Sequence, residues 1–229
     1  ATTALAHAVP VLLHQRLNAT YTVRACNISG CSAPSAPVAA DMVQAIGYFK
    51  AASTAAEARF GNRVALSANG TTLAVGAYGE AGNTGAVYVF TRTGSTWLQQ
   101  ARITAPGGEA NDYFGNAVAL SADGNTLAIG APQESSNATG VNGNQTDTSM
   151  TFAGAVYVFT RSGTVWSQQA YLKASNTGQD HWYGSSLALS ADGNTLAVGA
   201  MAEASSARGI NGKQADNSAG GAGAAYVYQ

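Results

Sequence analysis

Apolar positions along this chain come in short runs in which large and small side chains alternate. Val64-Ala65-Leu66, Leu73-Ala74-Val75-Gly76-Ala77 and Ala86-Val87-Tyr88-Val89-Phe90 set the pattern. Each run is rich in β-branched and aromatic residues and is bounded by turn residues, which predicts strands rather than helices. Asn69-Gly70, Asp123-Gly124 and Asp192-Gly193 each separate two such runs. Asn-Gly and Asp-Gly predict a tight hairpin with both central residues at positive φ. "TRTGSTW" and "TRSGTVW" predict a second hairpin, with Gly94 or Gly163 at the bend.

The runs recur in a fixed order. An aromatic-Gly pair opens each unit: Phe60-Gly61, Phe114-Gly115, Tyr183-Gly184. "VAL" or "LAL", the Asx-Gly turn, then "TLAVGA" or "TLAIGA" follow. "GAVYVFTR" (85–92, 154–161) or "GAAYVY" (223–228) comes next, and two units continue with Trp97 or Trp166 in a further strand. One unit therefore holds four antiparallel strands. A four-stranded unit of about 50 residues, repeated, predicts a β-propeller blade. The expected fold is all-β: a partial propeller of about three four-stranded blades over 47–229. Small residues such as Ala65, Ala74, Gly76 and Ala86 would let neighbouring sheets stack closely. A β-sandwich is the alternative, but it does not require its hairpins to be alike.

Spacing between units is unequal. Gly61 to Gly115 is 54 residues and Gly115 to Gly184 is 69. Almost all the extra length lies between strands 2 and 3, as 132–153 and 201–222 against 78–84. In an up-and-down blade the 2–3 loop and the 4–1 link leave on one side. The variable face is therefore the expected ligand face, since loops on a rigid scaffold carry function.

Composition narrows the function. The chain is 46% hydrophobic and only 10% charged, with net charge −1. Nothing favours nucleic acid or an anionic membrane electrostatically. No apolar run reaches the roughly 20 residues of a membrane span. The N-terminal stretch lacks the basic start of a signal peptide, so the chain is expected to begin inside a longer protein. "GYFKAAST" (47–54) matches "AYLKASNT" (170–177) and reads as an orphan fourth strand. Three blades fall short of the usual ring of about four to eight, which makes missing blades or neighbouring domains of the same protein expected partners.

Cys26 and Cys31, five residues apart, fit a disulfide across a tight hairpin; closing so short a loop is worth about 2 kcal/mol. Free thiols or half a metal site are the alternatives, but zinc needs more ligands and only His7, His14 and His181 are present. A disulfide would place the protein outside the reducing cytosol.

Several residues are candidates for a site. Trp182 lies in "QDHWYG" on a 4–1 link, where the other units carry Arg59 and Tyr113. Tyr113, Asp180, His181, Trp182 and Tyr183 are the candidate ligand contacts. Trp97 and Trp166 fall on the repeating framework and read as packing. Glu80, Glu134 and Glu203 share one offset after the Gly-Ala of each unit, which suggests loop-structuring acceptors, with weak metal binding as the alternative. Asp147 and Asp216, in the matched loops "GVNGNQTDTS" and "GINGKQADNS", read likewise, through Asx-turns. No metal or catalytic residue is assigned. His181 beside Asp180, with Ser185 and Ser186 nearby, lacks the nucleophile elbow of a hydrolase.

The unit resembles the FG-GAP repeat of the integrin α-subunit propeller and its bacterial relatives. Phe60-Gly61 and Phe114-Gly115 stand for the "FG" and Gly130-Ala131-Pro132 for the "GAP". Tyr78 and Met201 replace that proline in the other units, and Tyr183 replaces the Phe of the third. Many such repeats carry a D-x-D-x-D-G-x-x-D calcium loop between strands 1 and 2. Here the loop is "SANGTT" or "SADGNT". Calcium takes six to eight oxygens, so no cofactor is expected. Residues 15–38 resemble the end of a fibronectin type III domain: Leu17, Tyr21, Val23, Ala25, Asn27, Gly30 and Ser32, with Tyr21 at the corner. Residues 1–38 then form a partial domain ending in a β-hairpin, and 39–46 a linker. The resemblance implies a non-catalytic, extracellular adhesion or recognition module for protein or matrix ligands. A carbohydrate-binding propeller and an accessory module of a larger secreted enzyme are the alternatives.

Overall fold

A computed structural model describes residues 20–22, 24–28, 30–39, 47–52 and 54–229. The chain divides into two compact units, Ala1–Phe49 and Lys50–Gln229, treated separately below.

In the first unit, β1 (Thr20–Tyr21) pairs antiparallel with β4 (Val38–Ala39). Between them, β2 (Cys26–Asn27) pairs with β3 (Gly30–Cys31). Cys26 and Cys31 face each other in that register and are joined as a disulfide. The N-terminal stretch, His7, His14, Leu17, Val23, most of the 39–46 linker and the side chain of Tyr21 lie outside the described residues.

The second unit is a partial propeller. Blade one is β5 (Arg63–Leu66), β6 (Thr72–Ala77), β7 (Ala86–Thr93) and β8 (Thr96–Ile103). Blade two is β9 (Ala117–Leu120), β10 (Thr126–Ala131), β11 (Ala155–Ser162) and β12 (Val165–Leu172). Blade three has β13 (Tyr183–Leu189), β14 (Leu196–Ala200) and β15 (Ala224–Tyr228). Every sheet runs in sequence order, strand next to strand and antiparallel. A short helical turn, Glu80–Asn83, forms the compact 2–3 link of blade one.

The first hairpin departs from the expected turn. Only its glycine takes positive φ, at 66°, 73° and 76° for Gly70, Gly124 and Gly193. The bond closing the turn runs from Gly70 N–H to the Ser67 carbonyl, 2.9 Å, inside a wider loop closed by Ser67 N–H to Thr72 O. The Asx side chain explains the difference. Asp123 Oδ1 accepts from the Ser121 hydroxyl and from Asn125 N–H, and Oδ2 accepts from Asn125 Nδ2. An Asx side chain that caps its own turn keeps its residue in an ordinary conformation and leaves the left-handed position to glycine. The second hairpin has Gly94 (φ 60°) or Gly163 (φ 61°) first of two central residues, as a type II′ turn requires.

Small residues set the distance between blades. A Cβ on Gly76 would collide with the Gly115 carbonyl, and one on Gly130 with the Gly184 carbonyl. Each blade thus presses a bare backbone onto the aromatic-Gly corner of the next. Larger side chains fill the remaining space. Val87, Val89, Phe114, Leu127, Ile129 and Tyr157 are buried in the core between blades one and two. Val156, Leu172, Tyr183, Leu196 and Val198 are buried between two and three. The framework tryptophan joins in: Trp166 Nε1 donates to Gln100 Oε1 of blade one, 3.1 Å. Gln100 sits at the bulge where the β7–β8 register shifts.

Candidate ligand-binding site

On the face where 2–3 loops and 4–1 links emerge, a cleft of about 380 Å³ opens across all three blades. Tyr113 and Trp182 reach it from successive 4–1 links. Tyr78, Pro132 and Met201 reach it from the three 2–3 links, and Arg63, Asn116 and Ser185 from near the first strands. Tyr78 and Tyr113 pack edge to face at 5.3 Å.

Backbone geometry explains how the aromatics arrive there. Each 4–1 link zips onto the 2–3 loop of the blade before it. Tyr113 N–H donates to Asn83 O at 2.9 Å and Phe114 N–H to Thr84 O at 3.1 Å. Trp182 N–H donates to Phe152 O and Tyr183 N–H to Ala153 O, both at 3.1 Å. To make these bonds Tyr113 and Trp182 adopt left-handed φ values of 59° and 55°. That conformation is uncommon for bulky side chains and costs on the order of 1 kcal/mol or more. Glycine would meet the backbone need without that cost. Arg59 holds the same conformation at the equivalent position of the first unit, φ 57°, so the left-handed backbone belongs to the repeat position.

The other three ligand candidates do not line the cleft. Tyr183 is fully buried, its hydroxyl 2.6 Å from that of Tyr228 and its ring edge-on to Tyr226; it fills the position held by buried Phe114 in blade two and by half-buried Phe60 in blade one. His181 is buried with its ring against Gly178, and its Nδ1 has no partner among the described residues. Asp180 is exposed and accepts from Gln179 Nε2. Asp112, which occupies the His181 position one blade earlier, is buried beside Tyr113. It accepts the Glu109 N–H at 2.7 Å. Burial, reinforced by the nearby Glu134 charge, pushes its carboxyl up to about 6 against the lowering effect of that hydrogen bond.

The three glutamates at one offset tie down the 2–3 loops, Glu80 and Glu134 to strands and Glu203 to the 4–1 link. Glu80 accepts from the Tyr88 hydroxyl at 2.7 Å and from Arg102. Glu134 accepts from the Tyr171 hydroxyl, Lys173 Nζ and Ser136 N–H. Glu203 accepts from Asn176 Nδ2 and the Ser205 hydroxyl. Asp147 and Asp216 cap the long loops. Asp147 accepts Asn137 N–H across the loop and Ser149 N–H two residues on; Asp216 does the same with Ser206 and Ser218. These N–H bonds lead in holding both carboxyls below the usual range. Among the described residues no three His, Cys, Asp or Glu side chains come together as a metal site. The turn carboxylates also spend their oxygens on their own loops.

Tyr78, Arg63, Asn116 and Met201 were not among the sequence candidates. A signal for two of them was present. Tyr78 and Met201 stand where the "GAP" proline stands in blade two, and all three residues at that position line the cleft.

The chain matches the FG-GAP repeat over 49–90, 97–159 and 166–228. Over most of its length it is therefore built of this repeat, and it belongs to the FG-GAP repeat family. The second and third matches begin on the fourth strand of one blade and end on the third strand of the next. No curated protein matches the chain. Among solved structures, TolB from Acinetobacter baumannii aligns at 13% identity with a TM-score of 0.34, over 60% of this chain and 26% of TolB. The chain thus spans about a quarter of that protein.

Proposed function

We propose that this chain is a non-catalytic recognition module that binds a protein or matrix ligand through the cleft on its 2–3 and 4–1 loop face. The observation that carries the reading is the pair Tyr113 and Trp182. Two bulky aromatics from successive 4–1 links converge on one cleft with Tyr78 and Arg63. Aromatic and arginine side chains grouped in a partly desolvated recess are the usual anchors of recognition surfaces. The Cys26–Cys31 disulfide supports an extracellular or cell-surface setting. We read the disulfide-stapled hairpin and its flanking strands as fibronectin type III-like.

Sugar binding is the second reading, favoured by one feature. Tyr78, Tyr113 and Trp182 offer ring faces beside the neutral polar groups of Asn116, Gln133 and Ser185. The test is to screen the chain against arrays of extracellular-matrix proteins and of glycans, alongside Trp182→Ala and Tyr113→Gly. A ligand lost in both variants at unchanged thermal midpoint supports the reading, and the array that yields it decides between protein and sugar. A ligand that binds both variants as well as the parent chain overturns it.

A further inference from the structure

We propose that the two end faces of the propeller unit bind each other between copies, blade three of one copy receiving blade one of a second. The junction between successive blades appears twice within the chain, and each of its parts recurs on the outer faces of blades one and three without a counterpart among the described residues.

Backbone hydrogen bonds show this first. Ala68 N–H, on the first hairpin of blade one, donates to Ala122 O of blade two, and Ala122 N–H donates to Ala191 O of blade three, both at 2.9 Å. Ala191 N–H has no such acceptor among the described residues. The link zipper behaves likewise. Asn111, Tyr113 and Phe114 donate to the carbonyls of Gly82, Asn83 and Thr84; Asp180, Trp182 and Tyr183 donate to those of Thr151, Phe152 and Ala153. The third set of donors by position is Glu57, Arg59 and Phe60, and the third set of acceptors is Gly220, Gly221 and Ala222. Neither set makes these bonds among the described residues. Their backbones are already shaped for them. Glu57 and Arg59 hold φ of 58° and 57°, as their counterparts do, and Gly221 holds 75° where Asn83 holds 67°.

Side chains repeat the pattern. Val118, Leu120, Leu187 and Leu189 pack into the inter-blade cores. Their equivalents Val64 and Leu66 are 63% and 57% exposed. On blade three Val227 is 63% exposed, where its counterpart Val89 is fully buried. Gly76 and Gly130 each lie under the glycine carbonyl of the next blade, whereas Gly199 meets only Ser186 of its own blade. Gly61, equivalent to Gly115 and Gly184, has nothing against it among the described residues. One end is therefore a socket and the other the plug that fits such sockets, and a second copy supplies both. The contact is heterologous, so it closes into a ring or runs on head to tail.

Sedimentation velocity on the 229-residue chain tests this, over about 1 to 100 μM, a range bracketing a micromolar contact. The expected result is a concentration-dependent rise from 23.1 kDa to at least twice that mass. Leu66→Glu spoils the plug and Val227→Glu spoils the socket. Both sites are exposed in the single copy, so each variant should stay monomeric with an unchanged thermal midpoint. An equimolar mixture keeps one good plug and one good socket, and should regain association that stops at two copies. A parent chain monomeric throughout overturns the proposal. So does a Val227→Glu variant that associates as the parent does, or a mixture that stays monomeric.

Discussion

Lys173 and Glu134 form a buried ion pair, Nζ to Oε2 2.7 Å, with the lysine side chain fully buried and the glutamate 4% exposed. The lysine follows the last strand of blade two and the glutamate opens the long 2–3 loop, so the pair ties loop to sheet. Desolvation lowers the Lys173 pKa, opposed by the adjacent Glu134 charge. Removing one partner leaves an uncompensated buried charge, which costs about 3–5 kcal/mol, whereas replacing both with apolar residues is often close to neutral. Lys173→Met should therefore lose about that much stability in urea unfolding, and Glu134→Met/Lys173→Met should recover most of it. The corresponding Glu80–Arg102 pair has its arginine 41% exposed, so Arg102→Met should cost less than about 1 kcal/mol.

Asp112 gives the fold a pH dependence of definite sign. Its folded pKa, about 6, lies above the ordinary carboxyl value. Between roughly pH 4 and 6 the folded state holds a proton that the unfolded state has released. Stability contributed by this group is thus present below about pH 4 and is lost as pH rises through about 6. Asp112→Asn keeps an acceptor for the Glu109 N–H and removes the titration. Thermal midpoints across pH 4–7 should show the variant gaining on the parent as pH rises, with the largest gain above pH 6. A constant difference between the two would count against a buried Asp112.

Inter-blade glycines should tolerate substitution according to what faces them. Gly130→Ala drives a methyl into the Gly184 carbonyl, a backbone atom that cannot turn aside. The expected loss is about 3 kcal/mol, at the upper end for overpacking. Gly199→Ala meets only the Ser186 hydroxyl, a side-chain atom free to rotate. Its midpoint in the single copy should stay within about 0.5 kcal/mol of the parent, as for an ordinary surface change.

Much of the fold is legible in the sequence because its hairpins declare themselves locally. Gly70, Gly94 and their counterparts mark turns, and alternation between large and small residues marks strands. The turn at Asn69-Gly70 differs from the dipeptide expectation because that rule does not weigh the Ser67 hydroxyl, which donates to Asn69 Oδ1 and accepts Thr72 N–H. For the glutamates, the shared offset disclosed a structural task but not the partners. Arg102, Lys173 and Asn176 come from other segments and differ from blade to blade. Tyr183 was placed in the site by its neighbours in sequence. Its alignment with Phe60 and Phe114 was the better guide, because the ring in that position packs against its own sheet in every blade. Tyr78 and Met201 were visible as departures from a motif, yet only the stacking of three blades brings them to one cleft.

Amide hydrogen exchange, read residue by residue at a dilution where the chain is a single copy, tests the blade-to-blade junction most directly. Ala68 and Ala122 sit at equivalent points on their hairpins and each donates to the next blade; Ala191 occupies the same point, and its N–H has no such acceptor among the described residues. The stacked-blade account predicts slow exchange at Ala68 and Ala122 and fast exchange at Ala191. Equal rates at all three amides would contradict it, because the hairpins would then be independent of their neighbours.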